Sequence, residues 1–219
     1  MINRRIAALG LPWFLAGCTG SRFDLGGLDI GAGGIYASVD SEPFPVPAID
    51  LRRINPNFLR REVAYGSDEK RGTVIVDPSA RYAYVIENEG RAIRYGVGVG
   101  RTEAFNFRGT AIIGRKSKWP DWTPTTAMIA REPARYGPYA GGLPGGPNNP
   151  LGPRALYLYS HGVDTHYRLH GTIQPSTIGT MVSSGCIRFI NQDIIDLYDR
   201  VPVGSKVIVL PAGERIAAG

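Results

Sequence analysis

The stretch "HGTIQPSTIGTMVSSGCIRF", residues 170–189, contains the residue types that are best suited to covalent catalysis. It holds Cys186, one of the two cysteines of the 219-residue chain, and one of its three histidines. A cysteine acts as a nucleophile through its thiolate, which a nearby imidazole can generate or stabilise. The pattern therefore indicates a nucleophilic Cys186 that is served by His161, His166 or His170.

The residues on either side of Cys186 fit that interpretation. Gly185 lets the backbone pack closely, so the N–H groups of Gly185 and Cys186 could point at a developing oxyanion. If "CIRF" is extended, Cys186 and Arg188 share one face of a strand, where the planar guanidinium suits a substrate carboxylate. The alternative for Arg188 is a buried ion pair. The sequence thus predicts an oxyanion site and a carboxylate-binding group beside the cysteine.

The histidines also suggest a metal site, which is the competing interpretation. The segment "THYRLHG" predicts a strand on which His166 and His170 share one face and Tyr167 lies on the other. Histidines so placed are too far apart to bind one ion without bending, and their spacing matches no usual zinc pattern. We expect no metal and no other cofactor, and we expect His161 and His166 to be surface or loop residues.

The N-terminal segment "MINRRIAALGLPWFLAGC" has the three parts of a secretory signal. Its apolar run is well short of the ~20 residues that a spanning helix needs. The letters "LAGC" resemble a bacterial lipobox, which implies cleavage before Cys18, lipidation of its thiol and, from Thr19, the outer membrane. With Cys18 lipidated, Cys186 has no disulfide partner, so we expect a free, reactive thiol.

Composition and pattern favour one mainly β domain with short additions. Hydrophobic residues make up 43% and charged residues 20%, and the net charge of +6 is scattered, which argues against a nucleic-acid partner. Segments such as "TVIVD" and "SKVIVL" predict strands, and "NQDIIDLYDRV" predicts a helix with Asn191 as its N-cap. The Gly/Pro-rich "YAGGLPGGPNNPLGPR" predicts a long loop of the kind that forms lids. The predicted parts are a signal peptide (1–17), a flexible tether with an N-terminal arm (18–69), the β domain (70–211) and a tail (212–219).

The segments "YRLHGT" and "STIGTMVSSGCIRF" closely resemble the signature of bacterial L,D-transpeptidases, the YkuD-like catalytic domain. The similarity extends over roughly residues 72–210. It implies a β sandwich with a short helix in the C-terminal half, Cys186 as the nucleophile and His170 as the general acid and base. It also implies that a backbone carbonyl, here that of Gly171, orients the histidine. Many relatives have histidine where this chain has Ser184.

The resemblance further implies acyl transfer from a peptidoglycan tetrapeptide stem through a cysteine thioester. The acceptor is an amine of another stem, giving a 3–3 cross-link, or the lysine of an envelope lipoprotein. Water as acceptor would make the protein an L,D-carboxypeptidase. Two further candidates are a non-catalytic peptidoglycan-binding lipoprotein and a general cysteine protease. The expected location is the periplasm of a Gram-negative bacterium, with a lipid anchor in the outer membrane.

Overall fold

A computed structural model describes residues 34–102, 107–211 and 213. The predicted signal peptide, the predicted lipidation site Cys18 and all of the predicted tail except residue 213 lie outside the described residues. None of the helices within the described ranges is both long and apolar enough to cross a membrane.

Ten strands and three α-helices form the regular structure of the described part of the chain. The strands are β1 (Arg61–Ala64), β2 (Val74–Asp77), β3 (Tyr82–Ile86), β4 (Arg91–Gly100), β5 (Gly109–Lys118), β6 (Arg154–Ser160), β7 (Val163–His170), β8 (Met181–Ser183), β9 (Ile187–Phe189) and β10 (Lys206–Val209). The helices are α1 (Thr126–Arg131), α2 (Pro133–Tyr136) and α3 (Asn191–Arg200). The predicted mainly β fold with a helix near its end is confirmed.

The strands of the sandwich form a closed circuit in the order β4-β3-β2-β10-β5-β6-β7-β9, because β9 pairs back onto β4. Most neighbours are antiparallel, while β2–β10, β4–β8 and β7–β9 are parallel. Strand β4 can join so many partners because it is ten residues long: its first half pairs with β1 and its second half with β8 and β9. The parallel pair β7–β9 places the end of β7, which carries His170, beside β9, which begins directly after Cys186.

The main core is formed by inward side chains of the circuit together with the apolar face of α3. Its fully buried members include Val74, Tyr95, Val97, Ile113, Leu156, Leu169, Phe189, Ile194 and Leu197. Each such side chain contributes roughly 1.5–3 kcal/mol by leaving water. The core therefore fixes the two strands that carry the candidate catalytic residues.

The start of α3 corrects one prediction. Asn191 was expected to be the N-cap, but Ile190 occupies that position and makes no side-chain cap hydrogen bond. The side chain of Asn191 instead accepts a hydrogen bond from the Thr172 N–H, at 2.8 Å. The prediction failed because it considered only the residues next to Asn191 in the sequence. The side chain of Asn191 is instead hydrogen-bonded to a residue 19 positions away.

The segment 34–60, which we call the arm, lies within residues 18–69, for which a flexible tether and an N-terminal arm were predicted. Both the tether part and the arm part of this segment pack on the domain. Tyr36, Val46, Ile54 and Leu59 are buried, and the Gln192 side chain of α3 donates to the carbonyls of Ala37 and Pro47 at 3.0 and 2.9 Å. The arm is ordered by packing on the domain.

Candidate active site

The pairing of β7 with β9 brings the predicted catalytic residues to one face. Leu169 lies opposite Ile187, and His170 lies opposite Arg188. Leu169 and Ile187 belong to the buried core, so the alternate residues His170 and Arg188 face the other way. Cys186 lies two residues before Arg188 and shares its direction. These three side chains line a cavity of about 470 Å³.

A tight turn presents Cys186 to this cavity. Gly185 has φ 131°, a conformation that favours glycine. The Ser183 hydroxyl accepts from the Gly185 N–H at 3.1 Å and donates to the Cys186 carbonyl at 2.7 Å. The Gly185 N–H, a predicted oxyanion donor, is therefore already bonded and would have to exchange partners, whereas the predicted role of the Cys186 N–H is compatible with this turn.

The environment of the Cys186 sulfur favours the thiol over the thiolate. The side chain is half-buried, and its Sγ lies 3.9 Å from the His166 carbonyl oxygen. Burial raises the pKa of Cys186, and the Arg168 N–H and the positive charges of Arg168 and Arg188 partly oppose that rise. The nucleophile must therefore lose a proton as it reacts.

His170 is suited to receive that proton. It is buried, and its Nδ1 lies 2.6 Å from the Gly171 carbonyl oxygen. A carbonyl only accepts, so Nδ1 carries the hydrogen and Nε2 keeps a free lone pair. Burial, aided by the charge of Arg188, lowers the pKa of His170 to about 3. The imidazole is thus neutral, and the contact with Gly171 that the resemblance implied is present.

Gly171 itself is held by contacts that the sequence did not reveal. Its N–H donates to the Arg154 carbonyl at 3.3 Å, and Asn191 bonds the next residue, Thr172. A Cβ at position 171 would lie 2.4 Å from the Asn191 side-chain oxygen, so only glycine fits. The turn that orients His170 is therefore fixed from β6 and from α3.

Strand β7 is less regular than predicted. The pairing with β6 shifts register between Tyr157 and Tyr159, and His166 has φ 62°. Thr165, His166 and Tyr167 of this irregular stretch line the cavity together with His170, and Tyr167 also packs against the main core. His161 and His166 are exposed, and no group of three metal-ligating side chains occurs among the described residues.

The other wall of the cavity is formed by a lid, residues 119–153. The two ends of the lid meet where the Trp119 N–H donates to the Pro153 carbonyl at 2.8 Å. The buried Tyr136 of α2 packs against Trp122, and its hydroxyl lies 3.3 Å from the Ser184 hydroxyl. A long loop in this region was predicted, but helices α1 and α2 were not.

Comparisons with known proteins identify the family. The sequence model of the YkuD family, the L,D-transpeptidase catalytic domain, matches residues 71–209. The chain is 36% identical over 137 residues to "Probable L,D-transpeptidase YbiS" of Escherichia coli, which is 62% of this chain and 43% of that protein. "Probable L,D-transpeptidase ErfK/SrfK" of Escherichia coli is 34% identical over 143 residues, 64% of this chain and 44% of that protein. The match thus spans less than half the length of these relatives.

Two solved structures are also similar. A Brucella melitensis protein described as a probable carnitine operon oxidoreductase is 46% identical, and the match covers 74% of this chain and 99% of that one, with a TM-score of 0.49. An L,D-transpeptidase from Mycobacterium smegmatis is 21% identical, with 63% and 57% covered and a TM-score of 0.45. The family assignment rests on the family model and not on these two structures.

Proposed function

Because the chain belongs to the YkuD family of L,D-transpeptidase catalytic domains, we propose that it is a peptidoglycan L,D-transpeptidase with a Cys186 nucleophile. The observation that carries this proposal is the shared cavity: a neutral, buried His170 faces it from the end of β7, and Cys186 faces it from the turn that leads into the adjacent parallel strand β9. The proposed substrate is a tetrapeptide stem, whose last peptide bond joins an L-centre to D-alanine.

The first half-reaction forms a thioester. Nε2 of His170 takes the thiol proton of Cys186 as the sulfur adds to the carbonyl carbon of the scissile bond. The Cys186 N–H stabilises the oxyanion, joined by the Gly185 N–H once that group has left the Ser183 hydroxyl, and Ser184 lies in the same turn. When the tetrahedral intermediate collapses, the C–N bond breaks and the leaving D-alanine nitrogen takes the proton from His170.

The second half-reaction transfers the acyl group to an amine. The neutral His170 takes a proton from the incoming amine, whose nitrogen attacks the thioester and displaces the Cys186 thiolate, which then regains that proton. An amine on another stem gives a 3–3 cross-link, and a lysine amine gives an attached lipoprotein. The Arg188 guanidinium holds a carboxylate of the bound stem.

We further propose that the protein works in the periplasm from a lipid anchor on Cys18. The support is the lipobox-like "LAGC" at residues 15–18. The arm then connects the anchor to the domain. Thr19 favours the outer membrane as the anchoring site.

The nucleophile is tested by Cys186→Ala with purified tetrapeptide muropeptides, and the release of D-alanine is followed by mass spectrometry. We expect a loss of at least about a thousandfold, because Cys186 supplies the only thiol among the residues that the structure describes. His170→Gln removes the proposed base and should also lose activity. His161→Gln, which changes an exposed turn histidine, is its control and should retain full activity. Retained turnover in Cys186→Ala would disprove the proposed mechanism.

The same assay separates the competing functions when an amine acceptor is added. A transpeptidase joins the acceptor to the acyl group, an L,D-carboxypeptidase yields only the shortened stem, and a peptidoglycan-binding lipoprotein yields neither product. A carbapenem should add covalently to the unmodified protein and leave Cys186→Ala unlabelled.

A further inference from the structure

The cavity that contains Cys186 is lined by arginines from both walls. Arg188 comes from β9, and Arg131 and Arg135 come from the lid helices. No aspartate or glutamate is among the described residues that line the cavity. Within that part of the molecule, no carboxylate lies within ion-pair distance of Arg188. The cavity therefore suits an anionic ligand.

Three guanidinium groups gather around one carboxylate on the lid side. The Glu132 carboxylate is 2.5 Å from Arg101, 3.2 Å from Arg135 and 3.7 Å from Arg131. Burial is the main cause of the lowered pKa of Arg188; Cys186 and Tyr136 oppose that shift, and the charges of Arg135 and Arg101 add to it. The arginines of the lid side are therefore close enough to Arg188 to repel its charge across the cavity.

Arg135 is free enough to turn toward a ligand. Its side chain is 53% exposed and makes two contacts at the surface, an ion pair with Glu132 and a cation–π contact with the Tyr136 ring at 5.1 Å. Exposed contacts of this kind contribute little to stability. Arginine binds carboxylates through two parallel N–H groups, and such charge-assisted bonds are about twice as strong as neutral ones. Arg135 lies one residue before Tyr136, which bonds Ser184 beside the nucleophile.

We propose that Arg135, with Arg131 beside it, forms a second carboxylate subsite on the lid side of the cavity, separate from Arg188. The inference rests on the proposed function and narrows its substrate class. The preferred acyl donor is a stem peptide that carries an unmodified carboxylate in addition to the one on its leaving D-amino acid. A donor in which that additional carboxylate is an amide is a poor substrate.

The test combines a change in the protein with a matching change in the donor. D-alanine release is measured with a tetrapeptide donor whose non-terminal carboxylates are free and with the same donor amidated. The proteins are the unmodified chain, Arg135→Gln, Arg135→Lys and the control Arg53→Gln, which changes an exposed arginine of the arm away from the cavity.

We expect amidation to raise KM about tenfold or more for the unmodified protein, with little change in kcat, because the contact exists before and during the reaction. Arg135→Gln should raise KM similarly for the free donor and hardly at all for the amidated donor. Arg135→Lys should give an intermediate KM, and Arg53→Gln should leave KM unchanged.

The failures of the two proposals are distinguishable. If the unmodified protein releases D-alanine from neither donor, the proposed function is wrong. If it releases D-alanine but amidation leaves KM unchanged, the second subsite does not exist. If Arg135→Gln raises KM equally for both donors, or for neither, Arg135 does not bind the carboxylate. The comparison of donors with the unmodified protein decides whether a non-terminal carboxylate is bound, and the Arg135→Lys variant keeps the assignment to Arg135 testable if Arg135→Gln folds poorly.

Discussion

Arg154 and Arg188 lie on the same sheet, but the molecule surrounds them in opposite ways. Arg154, on the side covered by the arm, is 2% exposed and forms an ion pair with the Glu42 carboxylate. Arg188, on the cavity side, is half-buried and has no carboxylate partner among the described residues. A buried charge needs a partner, because its removal from water costs several kcal/mol. The difference indicates that Glu42 completes the fold, whereas the partner of Arg188 arrives with the ligand.

Glu42 also connects the arm to the lid. Its carboxylate accepts from the Arg154 side chain and, at 2.9 Å, from the Trp119 indole N–H. Phe44 packs against the Trp119 ring at 5.0 Å. Trp119 and Pro153 close the lid at its base, so the arm holds the lid at its attachment. The opposite end of the lid reaches Ser184 through Tyr136, with a single neutral hydrogen bond.

The largest effect that we predict on this comparison is that of Glu42→Ala. The substitution leaves Arg154 buried without its carboxylate, which should lower the free energy of unfolding by about 3–5 kcal/mol. Urea unfolding followed by fluorescence measures the change. Glu62→Ala is the matched control, because it breaks the exposed pair with Arg91, in which both side chains are about half exposed, and should cost at most about 1 kcal/mol.

The stability lost in Glu42→Ala should itself depend on pH, and urea unfolding at several pH values measures that dependence. Hydrogen bonding to Arg154 lowers the pKa of Glu42 below its ordinary value. The stabilisation by Glu42 is therefore complete above the unfolded pKa of about 4.3 and is lost as the pH falls through the lower folded pKa. Equal losses for Glu42→Ala and Glu62→Ala at neutral pH would show that the two sides of the molecule do not differ in this way.

The sequence predicted the parts of this picture that are local. Cys186 and Arg188 lie two residues apart, and a short extended segment is enough to place them on one face. Strands rich in β-forming residues were predictable for the same reason, since each is defined by its own few residues. The contact between His170 and Gly171 joins neighbours in the chain, and the family signature already implied it.

The features that were missed depend on distant residues. Glu42 and Arg154 are 112 residues apart, and nothing periodic in either segment connects them. Asn191 has the residue type and position of a helix cap, and its actual hydrogen bond with the Thr172 N–H is a tertiary contact that its neighbours in the chain do not show. The register shift between β6 and β7 is a property of two paired strands, which alternation along one strand cannot reveal. Long-range contacts override local patterns in each case.

A smaller effect concerns the ionisation of the cavity residues. Burial raises the pKa of Cys186, and burial also keeps His170 neutral. In a Cys18→Ser background, we expect iodoacetamide to alkylate Cys186 about tenfold faster for each pH unit up to pH 8.5, the ordinary thiol pKa being about 8.5. Arg188→Gln should move the curve to higher pH, because the charge of Arg188 favours the thiolate. A rate that stays constant from pH 5.5 to 8 would instead show a preformed thiolate–imidazolium pair.

The smallest predicted effect concerns the hydrogen bond between Tyr136 and Ser184. Tyr136→Phe removes only a hydroxyl, and Ser184→Ala removes only its partner, so each should lower kcat/KM by about two- to tenfold, equivalent to roughly 0.5–1.5 kcal/mol. The double variant should lose no more than either single variant, because both remove the same bond. Additive losses would mean that each hydroxyl acts on something else. A loss of activity as large as that of Cys186→Ala would mean that the lid is held at this contact rather than at its Glu42-bound base.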